Sequence, residues 1–494
     1  MAPKDCVAGN SSSYKARSMA LPTTAMISLN KSGIGPKIPT FDFALKILAG
    51  DESERTESIF PTKKQFNRFE TLEPQEVAMT DVLGIVLAGG KGERLWPLTR
   101  DRAKPAVKFG GKYRIIDFVL SNFVNSGIHS IYVLTQNKAQ SLMRHLELGW
   151  RLADCLQDRF IVPVPAQMQN GGDWYQGTAD SVRQNLHLIQ RHQPRLIAVF
   201  AADHANRMNL RQMIEEHLAR KADITVAALP VGVEEASQFG VMEVDGDWRI
   251  VGFQEKPVEP KTISGEPGQV LASMGNYIFN ADVLIEALDM EAKDSSSNHD
   301  FGRDLLPPLI SQRQVYAYDF RKNRIPLPLK GEEPSYWRDL GTIEAYYEAN
   351  MDLRSVDPSF NLYNYSWPIR TLGNGGPPAK FVFEEEGRRG QANNSIVGEG
   401  TIISGSLVRG SVIGQNVRIH GYSVIEDAIV MDWVEVGRGC RIRKAIIDKH
   451  NAIPPGTQIG FDAEEDRKRY FVSEGGIVVI PRGDSKNGWS QLSS

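Results

Sequence analysis

The amino-acid sequence predicts an α/β protein built as a doubly wound, Rossmann-like domain followed by a left-handed parallel β-helix. Two patterns support this fold class. In the first part of the chain, short apolar runs alternate with segments of helical periodicity, as in a parallel sheet with crossover helices. Beyond residue 394, apolar residues return every five to seven positions with glycines between them. That spacing is typical of short strands that stack as the rungs of a solenoid.

Length and composition limit the classes of protein that this chain can belong to. The 494 residues are enough for two or three compact units, and 41% hydrophobic with 24% charged residues is typical of a soluble globular chain. The formal charge of -3 offers no basic excess for nucleic acid. The three cysteines are scattered, and no apolar run is long enough for a membrane span. We therefore expect neither a nucleic acid nor a membrane as a partner, and a cytoplasmic location.

The N-terminal segment 1–78 is predicted to be a disordered extension. Its first 40 residues carry five basic side chains, several serines and Asp5 as the only acid, without a helical or strand period. A flexible tail has this composition, and so does an organellar transit peptide. A plastid location therefore stays open beside the cytoplasmic one.

A glycine-rich loop follows the first predicted strand. Residues 82–87 form an apolar run suited to a buried parallel strand, and Gly89 and Gly90 end it. Glycines let backbone N–H groups approach phosphate oxygens closely, and Arg94 and Lys104 could add positive charge. A tight turn with solvated basic residues has the same pattern, so the loop alone leaves both interpretations open.

The next segments predict a parallel sheet that brings distant residues to one rim. Residues 115–124 and 182–189 have helical spacing, whereas 131–134 and 196–200 are apolar strands. Ligands of such sheets bind beyond the carboxyl ends of the strands. The glycine loop and Asp203, which follows the strand at 196–200, should therefore share one rim. By itself Asp203 could equally cap the next helix.

Eight segments resemble one family, that of the bacterial-type glucose-1-phosphate adenylyltransferases, also called ADP-glucose pyrophosphorylases. The resemblance runs from about residue 82 to residue 482. The segments are LAGGKGERLWPLT, RAKPAVKFGGKYRIIDFVLSN, DWYQGTADSV, FGVM, FQEKP, SMGNYIF, HDFGRDLLP and YWRDLGTIEAYYEANMDL.

The resemblance implies an activity, a cofactor and a domain plan. A phosphate oxygen of glucose 1-phosphate would attack the α-phosphorus of ATP, giving ADP-glucose for glycogen or starch synthesis and pyrophosphate. Mg²⁺ would be held by Asp203 and Asp339, because magnesium prefers carboxylate oxygens. The nucleotidyltransferase domain would span 79–360, a linker 361–380 and the β-helix 381–494.

The resemblance also implies the role of each site residue. Arg94 and Lys104 would stabilise the phosphates, and these two residues and Asp203 would be catalytic. His299 would have a structural role. The nucleotide would lie against Gly89, Gly90, Gln167, Tyr175, Gly177 and Thr178. The sugar phosphate would contact Gly240, Glu255, Lys256, Ser273, Asp300 and Trp337.

One segment departs from the family pattern. The family usually has Gly-Asp-His followed by an Ile-Tyr pair, whereas this chain has Ala202, Asp203, His204, Ala205 and Asn206. The extra methyl group and the lost bulky pair predict reduced turnover. A catalytically weak regulatory subunit and another sugar-1-phosphate nucleotidyltransferase therefore remain alternatives.

For the β-helix, the resemblance implies assembly and regulation. The domain would mediate a homotetramer and help to bind a sugar-phosphate or phosphate effector, whose identity the sequence does not give. Candidate anion contacts are basic residues of this domain, namely Arg388, Arg389, Arg438, Arg441 and Arg443.

Overall fold

The structure is a computed structural model that describes residues 78–151, 159–167, 174–328, 333, 335–373 and 375–483. The predicted extension 1–78 lies outside these residues, apart from its last position. None of the described helices combines the length and the apolar character that a membrane span requires.

The N-terminal half of the described chain contains thirteen strands. In chain order they are β1 Val82–Ala88, β2 Lys108–Phe109, β3 Tyr113–Arg114, β4 Ser130–Thr135, β5 Phe160–Pro165, β6 Leu196–Ala201, β7 His204–Asn206, β8 Ile224–Gly232, β9 Gly240–Val244, β10 Ile250–Glu255, β11 Gln269–Asn280, β12 Val315–Asp319 and β13 Trp337–Asp339.

Nine of these strands form a mixed central sheet. Its path is β10-β9-β11-β6-β1-β4-β5, and β8 joins β11 to β12. The strands β6, β1, β4 and β5 are parallel, which confirms the predicted doubly wound core. Strand β11 runs antiparallel to β6 and β8, so the sheet is not uniformly parallel. The carboxyl ends of β1, β4 and β6 therefore lie side by side.

Helices cover both faces of the sheet. They are α1 Ile116–Asn125, α2 Gln140–Gly149, α3 Thr178–Arg183, α4 Leu186–His192, α5 Leu210–Ala219, α6 Ala281–Glu291, α7 Leu306–Ile310 and α8 Ile343–Asp352. The helix expected over 182–189 is thus two short helices. Asn185 lies between them, and its side chain donates to the Ser181 carbonyl at 2.8 Å, the kind of local bond that competes with helix continuation.

From residue 380 onward the chain forms three sheets of short strands, parallel except where Phe471–Val472 pairs antiparallel with Val478–Ile480, which confirms the predicted β-helix. One sheet contains Lys380–Val382, Ile402–Ser404, Arg418–Ile419, Glu435–Val436 and Ala452–Ile453. The second contains Gln391–Asn393, Leu407–Arg409, Val424–Glu426, Arg441–Arg443 and Gln458–Ile459. The third contains Ile396–Val397, Val412–Ile413, Ile429–Val430, Ala445–Ile447, Val478–Ile480 and Phe471–Val472. Outside these sheets lie the hairpin Glu384–Glu385 with Arg388–Arg389 and the helix α9 Ala463–Arg469.

The two halves are packed together through apolar and charged contacts. A shared core joins Phe109 and Tyr346 of the first half to Ile429 and Ile446 of the second. A buried ion pair connects Arg102 with Asp448. The β-helix is therefore fixed against the loop that follows the glycine-rich segment.

The segment between the halves is irregular but anchored. Trp367 is buried, and its indole N–H donates to the Asn122 side-chain oxygen at 3.1 Å. The first part of the predicted linker 361–380 therefore contacts the N-terminal half, whereas Pro377 accepts from the Gly400 N–H in the β-helix. Its exact boundaries stay a prediction.

Candidate active site

A cavity of about 1150 Å³ opens at the carboxyl ends of β1, β4 and β6. Its lining includes the glycine loop after β1, Gln136 and Asn137 after β4, and Asp203 after β6. These segments are far apart in the sequence. The parallel sheet brings them together, as the position of ligand sites in open α/β sheets predicts.

The glycine loop is held by residues that the sequence analysis did not single out. The side-chain amide of Asn137 donates to the Gly89 carbonyl at 2.7 Å. Gly92 has φ +66°, and a Cβ there would lie 3.0 Å from the Lys104 Cβ. The loop therefore needs glycine both for its backbone conformation and for the close approach of Lys104. Asn137 closely follows the strand predicted at 131–134, and this position is the sequence signal that could have identified it as a site residue.

Four charged side chains meet beside this loop. The Lys104 ammonium lies 3.0 Å from Asp203 Oδ2 and 2.9 Å from Asp339 Oδ1. The Arg94 guanidinium lies 3.3 Å from Asp339 Oδ2. The structure thus brings together Arg94, Lys104, Asp203 and Asp339, although they come from three separate parts of the chain.

Backbone pairing places the two aspartates. Strands β7 and β13 pair antiparallel, so that Asp339 is opposite His204, the residue after Asp203. Gly341 leaves room for this arrangement, because a Cβ at that position would lie 2.7 Å from Asp339 Oδ2 and 2.9 Å from the Arg94 guanidinium. A short ribbon away from the main sheet therefore sets the separation of the carboxylates.

Attraction between Lys104 and the two aspartates keeps Lys104 and Asp203 charged. Burial alone would raise the pKa of Asp203, but the Lys104 ammonium outweighs it and holds the pKa well below its usual range. Burial alone would lower the pKa of Lys104, and the carboxylates Asp203 and Asp339 reverse that effect, so its pKa is raised. At neutral pH Asp203 is therefore ionised and Lys104 is protonated.

The same carboxylates fit a divalent cation. One ligand atom each from Asp203, His204 and Asp339 lie within 4.8 Å of one another. Two carboxylates, of which Asp203 lines the cavity and Asp339 lies behind Lys104, match the preference of magnesium for oxygen ligands, with phosphates and water completing its shell.

On one side of the cavity, Tyr175, Gly177 and Thr178 approach the glycine loop. The Tyr175 hydroxyl accepts from the Asn185 side chain at 2.9 Å, and the Tyr175 carbonyl accepts from Gln136. Gly177 faces the next loop so closely that a Cβ would lie 2.2 Å from the His299 carbonyl oxygen. Gly177 is therefore required for contact between the two walls of the cavity.

The loop that carries His299 and Asp300 forms the adjoining wall. The Thr178 hydroxyl donates to Asp300 Oδ2 at 3.0 Å, and the Ala179 N–H donates to the His299 carbonyl at 2.7 Å. His299 has φ +57°, and its ring Nδ1 lies 2.7 Å from Oε1 of the buried Glu291. This supports the structural role expected for His299, because the imidazole positions the loop from behind.

Glu255 and Lys256 line the far end of the cavity. Their charged groups lie 3.1 Å apart, and the Lys256 side chain is 59% exposed. Gly240 lies behind them, since a Cβ there would be 3.0 Å from Glu255 Oε2. Glu255 thus offers a hydrogen-bond acceptor to the cavity, and Lys256 offers an exposed ammonium group.

Some predicted site residues do not line the cavity. Ser273 and Trp337 are buried, and the Trp337 ring packs against His204 and Phe239 with centroids 5.1 Å apart in both pairs. Gln167 lines a different surface groove, together with residues such as His187. Ser273 and Trp337 support the site from beneath, whereas Gln167 lies apart from it.

The departure after β6 creates contacts of its own. Ala202 and Ala205 are buried, and Asn206 accepts from the Asn122 side-chain amide at 3.0 Å. Asn122 also accepts from the backbone N–H of Met208. A polar network therefore occupies the space beneath Asp203 where the family pattern has a bulky pair.

Of the candidate arginines of the β-helix, Arg389 pairs with Glu384, and the others lie over aromatic rings. The Arg438 guanidinium is 4.5 Å from the centre of the Tyr422 ring, and Arg441 is 4.5 Å from that of Phe461. Arg443 also lies over Phe461. Such contacts hold the side chains while leaving hydrogen-bond donors on the surface.

Comparison with known families agrees with this architecture. The family model for nucleotidyl transferases matches residues 83–356, and that for the GlmU-like C-terminal hexapeptide matches residues 377–480. The fold, the charged rim and these matches define a nucleotidyltransferase joined to a hexapeptide β-helix.

Curated relatives refine the class. The chain is 56% identical over 411 residues to the glucose-1-phosphate adenylyltransferase of Thermus thermophilus, covering 82% of this chain and 98% of the relative. It is 52% identical over 407 residues to that of Anaeromyxobacter sp., with the same coverage. It is 48% identical over 406 residues to glucose-1-phosphate adenylyltransferase 1 of Vibrio parahaemolyticus, covering 82% and 99%. The chain belongs to the glucose-1-phosphate adenylyltransferase family.

Proposed function

We propose that this chain transfers the adenylyl group of ATP to glucose 1-phosphate, producing ADP-glucose for glycogen or starch synthesis together with pyrophosphate. The observation that carries the proposal is the cluster of Arg94, Lys104, Asp203 and Asp339 beside a glycine loop. Phosphoryl and nucleotidyl transfer depend on positioning and on charge neutralisation more than on covalent help from the protein. The cluster supplies both.

The reaction is a single displacement. A phosphate oxygen of glucose 1-phosphate forms a bond to the α-phosphorus of ATP, and the bond from that phosphorus to the bridging oxygen of the β-phosphate breaks. The electron pair of that bond leaves with pyrophosphate. Arg94 and Lys104 stabilise the triphosphate and the leaving group, because their positive charges lie at the glycine loop where phosphates would bind.

Asp203 and Asp339 would hold Mg²⁺ in this reaction. Their oxygens lie close enough together to share one ion. When bound, the ion neutralises negative charge on the phosphates.

The two ends of the cavity would take different parts of the substrates. Gly89, Gly90, Tyr175, Gly177 and Thr178 surround the nucleotide side. The sugar phosphate would bind at the other end, through Glu255, Lys256 and Asp300, with Gly240, Ser273 and Trp337 supporting that end. A nucleotide contact of Gln167 remains a prediction.

Assembly, regulation and location are further parts of the proposal. The β-helix would mediate a homotetramer, and arginines such as Arg438 and Arg441 would contribute to binding a phosphate or sugar-phosphate effector. The bacterial relatives favour a cytoplasmic location.

One assay separates ADP-glucose formation from the activity of another sugar-1-phosphate nucleotidyltransferase. Pyrophosphate release by the purified full-length protein is measured with glucose 1-phosphate and ATP, UTP, dTTP or GTP. We expect a clear preference for ATP, and equal use of all four would contradict ADP-glucose formation as the specific activity.

The regulatory-subunit alternative rests on the departure at Ala202. It predicts no turnover by the homomer and a shifted activation curve of an active homologous partner. Turnover by the homomer would exclude it. The Arg94–Asp339 and Lys104–Asp203 salt bridges favour the catalytic role, because a silent subunit has no need of them.

A further inference from the structure

We propose that Lys104 and Arg94 occupy the cation site of the free enzyme, so that binding of a divalent cation displaces them from the aspartates onto the triphosphate. The inference rests on the proposed function, because it takes ATP and a divalent cation as the ligands. It adds a thermodynamic coupling between the two ligands that the reaction itself does not require.

The carboxylate oxygens at the site already face partners of the same chain. Lys104 bridges Asp203 Oδ2 and Asp339 Oδ1, at 3.0 and 2.9 Å. Arg94 contacts the second oxygen of Asp339 at 3.3 Å. The second oxygen of Asp203 faces His204 Nε2 at 3.5 Å. A cation that uses both carboxylates must therefore compete with the ammonium for its ligands.

Charge balance makes the competition stronger. Two carboxylates, one ammonium and one guanidinium leave no net charge in the cluster, so the free site attracts a cation weakly. A magnesium ion lies about 2.1 Å from each ligand oxygen. An ion on the oxygens that Lys104 bridges would thus lie within about 5 Å of its nitrogen, and like charges at that separation repel.

The triphosphate resolves this repulsion. Lys104 and Arg94 both line the cavity beside the glycine loop, so phosphate oxygens can replace the carboxylates as their partners. Once the basic groups turn to the phosphates, the aspartates become available to the cation. Each ligand therefore raises the affinity of the site for the other.

Removal of Lys104 should improve cation binding in the absence of nucleotide. Mn²⁺ binding to the nucleotide-free, full-length protein is measured by the loss of the free-ion electron paramagnetic resonance signal. We expect Lys104→Met to bind Mn²⁺ at least about 10-fold more tightly than the wild type. Adding Asp203→Asn to this variant should abolish the gain. If Lys104 were only structural, Lys104→Met would bind Mn²⁺ as tightly as the wild type or more weakly, and that result would overturn the inference.

Lys91→Met is the matched control. Lys91 also lines the cavity and loses the same charge, but it pairs with Glu93 at 3.8 Å and is 75% exposed. Its substitution should change Mn²⁺ affinity less than about 2-fold, because the charge is screened by solvent. An equal gain in both variants would assign the effect to net charge and contradict displacement.

A second variant tests the coupling if Lys104→Met does not fold. Asp339→Asn removes the partner of Arg94 and one of the two partners of Lys104. In calorimetric titration with EDTA present, ATP should therefore bind to this variant about 10-fold more tightly than to the wild type. Glu93→Gln is the matched control. It also removes one negative charge, at a residue that lines the cavity, and should change the affinity for metal-free ATP by less than about 2-fold. Unchanged or weaker metal-free ATP binding to Asp339→Asn would contradict the inference.

These results are separable from the proposed function. Wild-type pyrophosphate release with ATP can persist whether or not Lys104 blocks the cation site. If Asp203→Asn leaves Mn²⁺ binding intact in the Lys104→Met background, the metal assignment itself fails.

Discussion

The active-site rim and the interior of the β-helix bury side chains in opposite ways. At the rim, Lys104 is almost fully buried between two carboxylates that lie 99 and 235 positions further along the chain. In the β-helix, Ile425, Ile442 and Ile459 stack in register in successive rungs, and all three are fully buried. One region is charged and assembled from distant segments, whereas the other is apolar and repetitive.

This difference separates function from stability. Each rung of a solenoid contacts only its neighbours, so the β-helix depends on local packing. The rim depends on compensating charges, and loss of one carboxylate leaves the charge of the buried Lys104 only partly compensated. Substitutions in the two regions should therefore change different measured quantities.

The largest effect is expected at the rim. Asp203→Asn or Asp339→Asn should each lower kcat by on the order of 10³-fold, because the ligand for the cation and the charge balance of Lys104 are both lost. Steady-state pyrophosphate release measures the effect. Thermal unfolding of the variants should show that the fold persists.

Asp101→Asn is the control for a lost acidic charge. Asp101 lies on the surface of the same half and pairs with Arg100 at 2.9 Å. Its substitution should leave kcat nearly unchanged in the absence of effectors. Near-normal rates for either rim variant would contradict the distinction between the two regions.

The β-helix prediction concerns stability alone. Ile442→Ala leaves a cavity between rungs and should lower the free energy of unfolding by about 2–5 kcal/mol. Urea denaturation measures the change, and KM for both substrates should stay constant in the folded protein. Val258→Ala, at a side chain that is 95% exposed, should leave the stability unchanged. A KM change in Ile442→Ala would show that the rungs communicate with the cavity.

A buried histidine of the nucleotidyltransferase half should make stability depend on pH. His217 bonds Thr225 and Asn280, and burial lowers its pKa from 6.5 to about 4. The unfolded chain then binds more protons between these values, so stability falls as pH decreases from about 6.5 to about 4. From pH 7 to pH 5 the wild type should lose about 2 kcal/mol more than His217→Gln.

Urea titrations at the two pH values measure that difference. His187→Gln, at an exposed histidine, is the matched control and should keep the pH dependence of the wild type. Equal pH dependence of the wild type and His217→Gln would show that His217 is already protonated or accessible in the folded protein.

The smallest effect is expected for a positioning residue behind the cavity wall. Glu291→Ala removes the partner of His299 and of the Ser297 hydroxyl, so the loop that carries Asp300 loses its support. KM for the substrates should rise about 10-fold with a smaller change in kcat. Glu291→Gln keeps an acceptor and should restore most of the affinity. A loss of kcat without a change in KM would contradict this positioning role.

Much of the fold could be predicted because its signals are local. The strand at 82–88, the helix at 116–125 and the repeat of the β-helix each arise from a short apolar period. The mixed character of the sheet could not be seen in this way. The antiparallel course of β11 depends on pairing between segments that are distant in the sequence.

The site was predicted in part. The glycine loop and Asp203 follow strands, and this position alone indicated a shared rim. Asp339 came only from the family resemblance, because its place depends on the pairing of two short strands. The Glu291–His299 contact was not predicted, since it requires the three-dimensional approach of a helix end to a loop.

The most direct test of the account is a crystal structure of the full-length protein with ATP and Mn²⁺, in which anomalous scattering locates the metal. We expect one Mn²⁺ peak within ligand distance of both Asp203 and Asp339, with the Lys104 ammonium moved from the carboxylates to the phosphates. A metal bound to the phosphates alone, with Lys104 still between the two aspartates, would contradict the central claim.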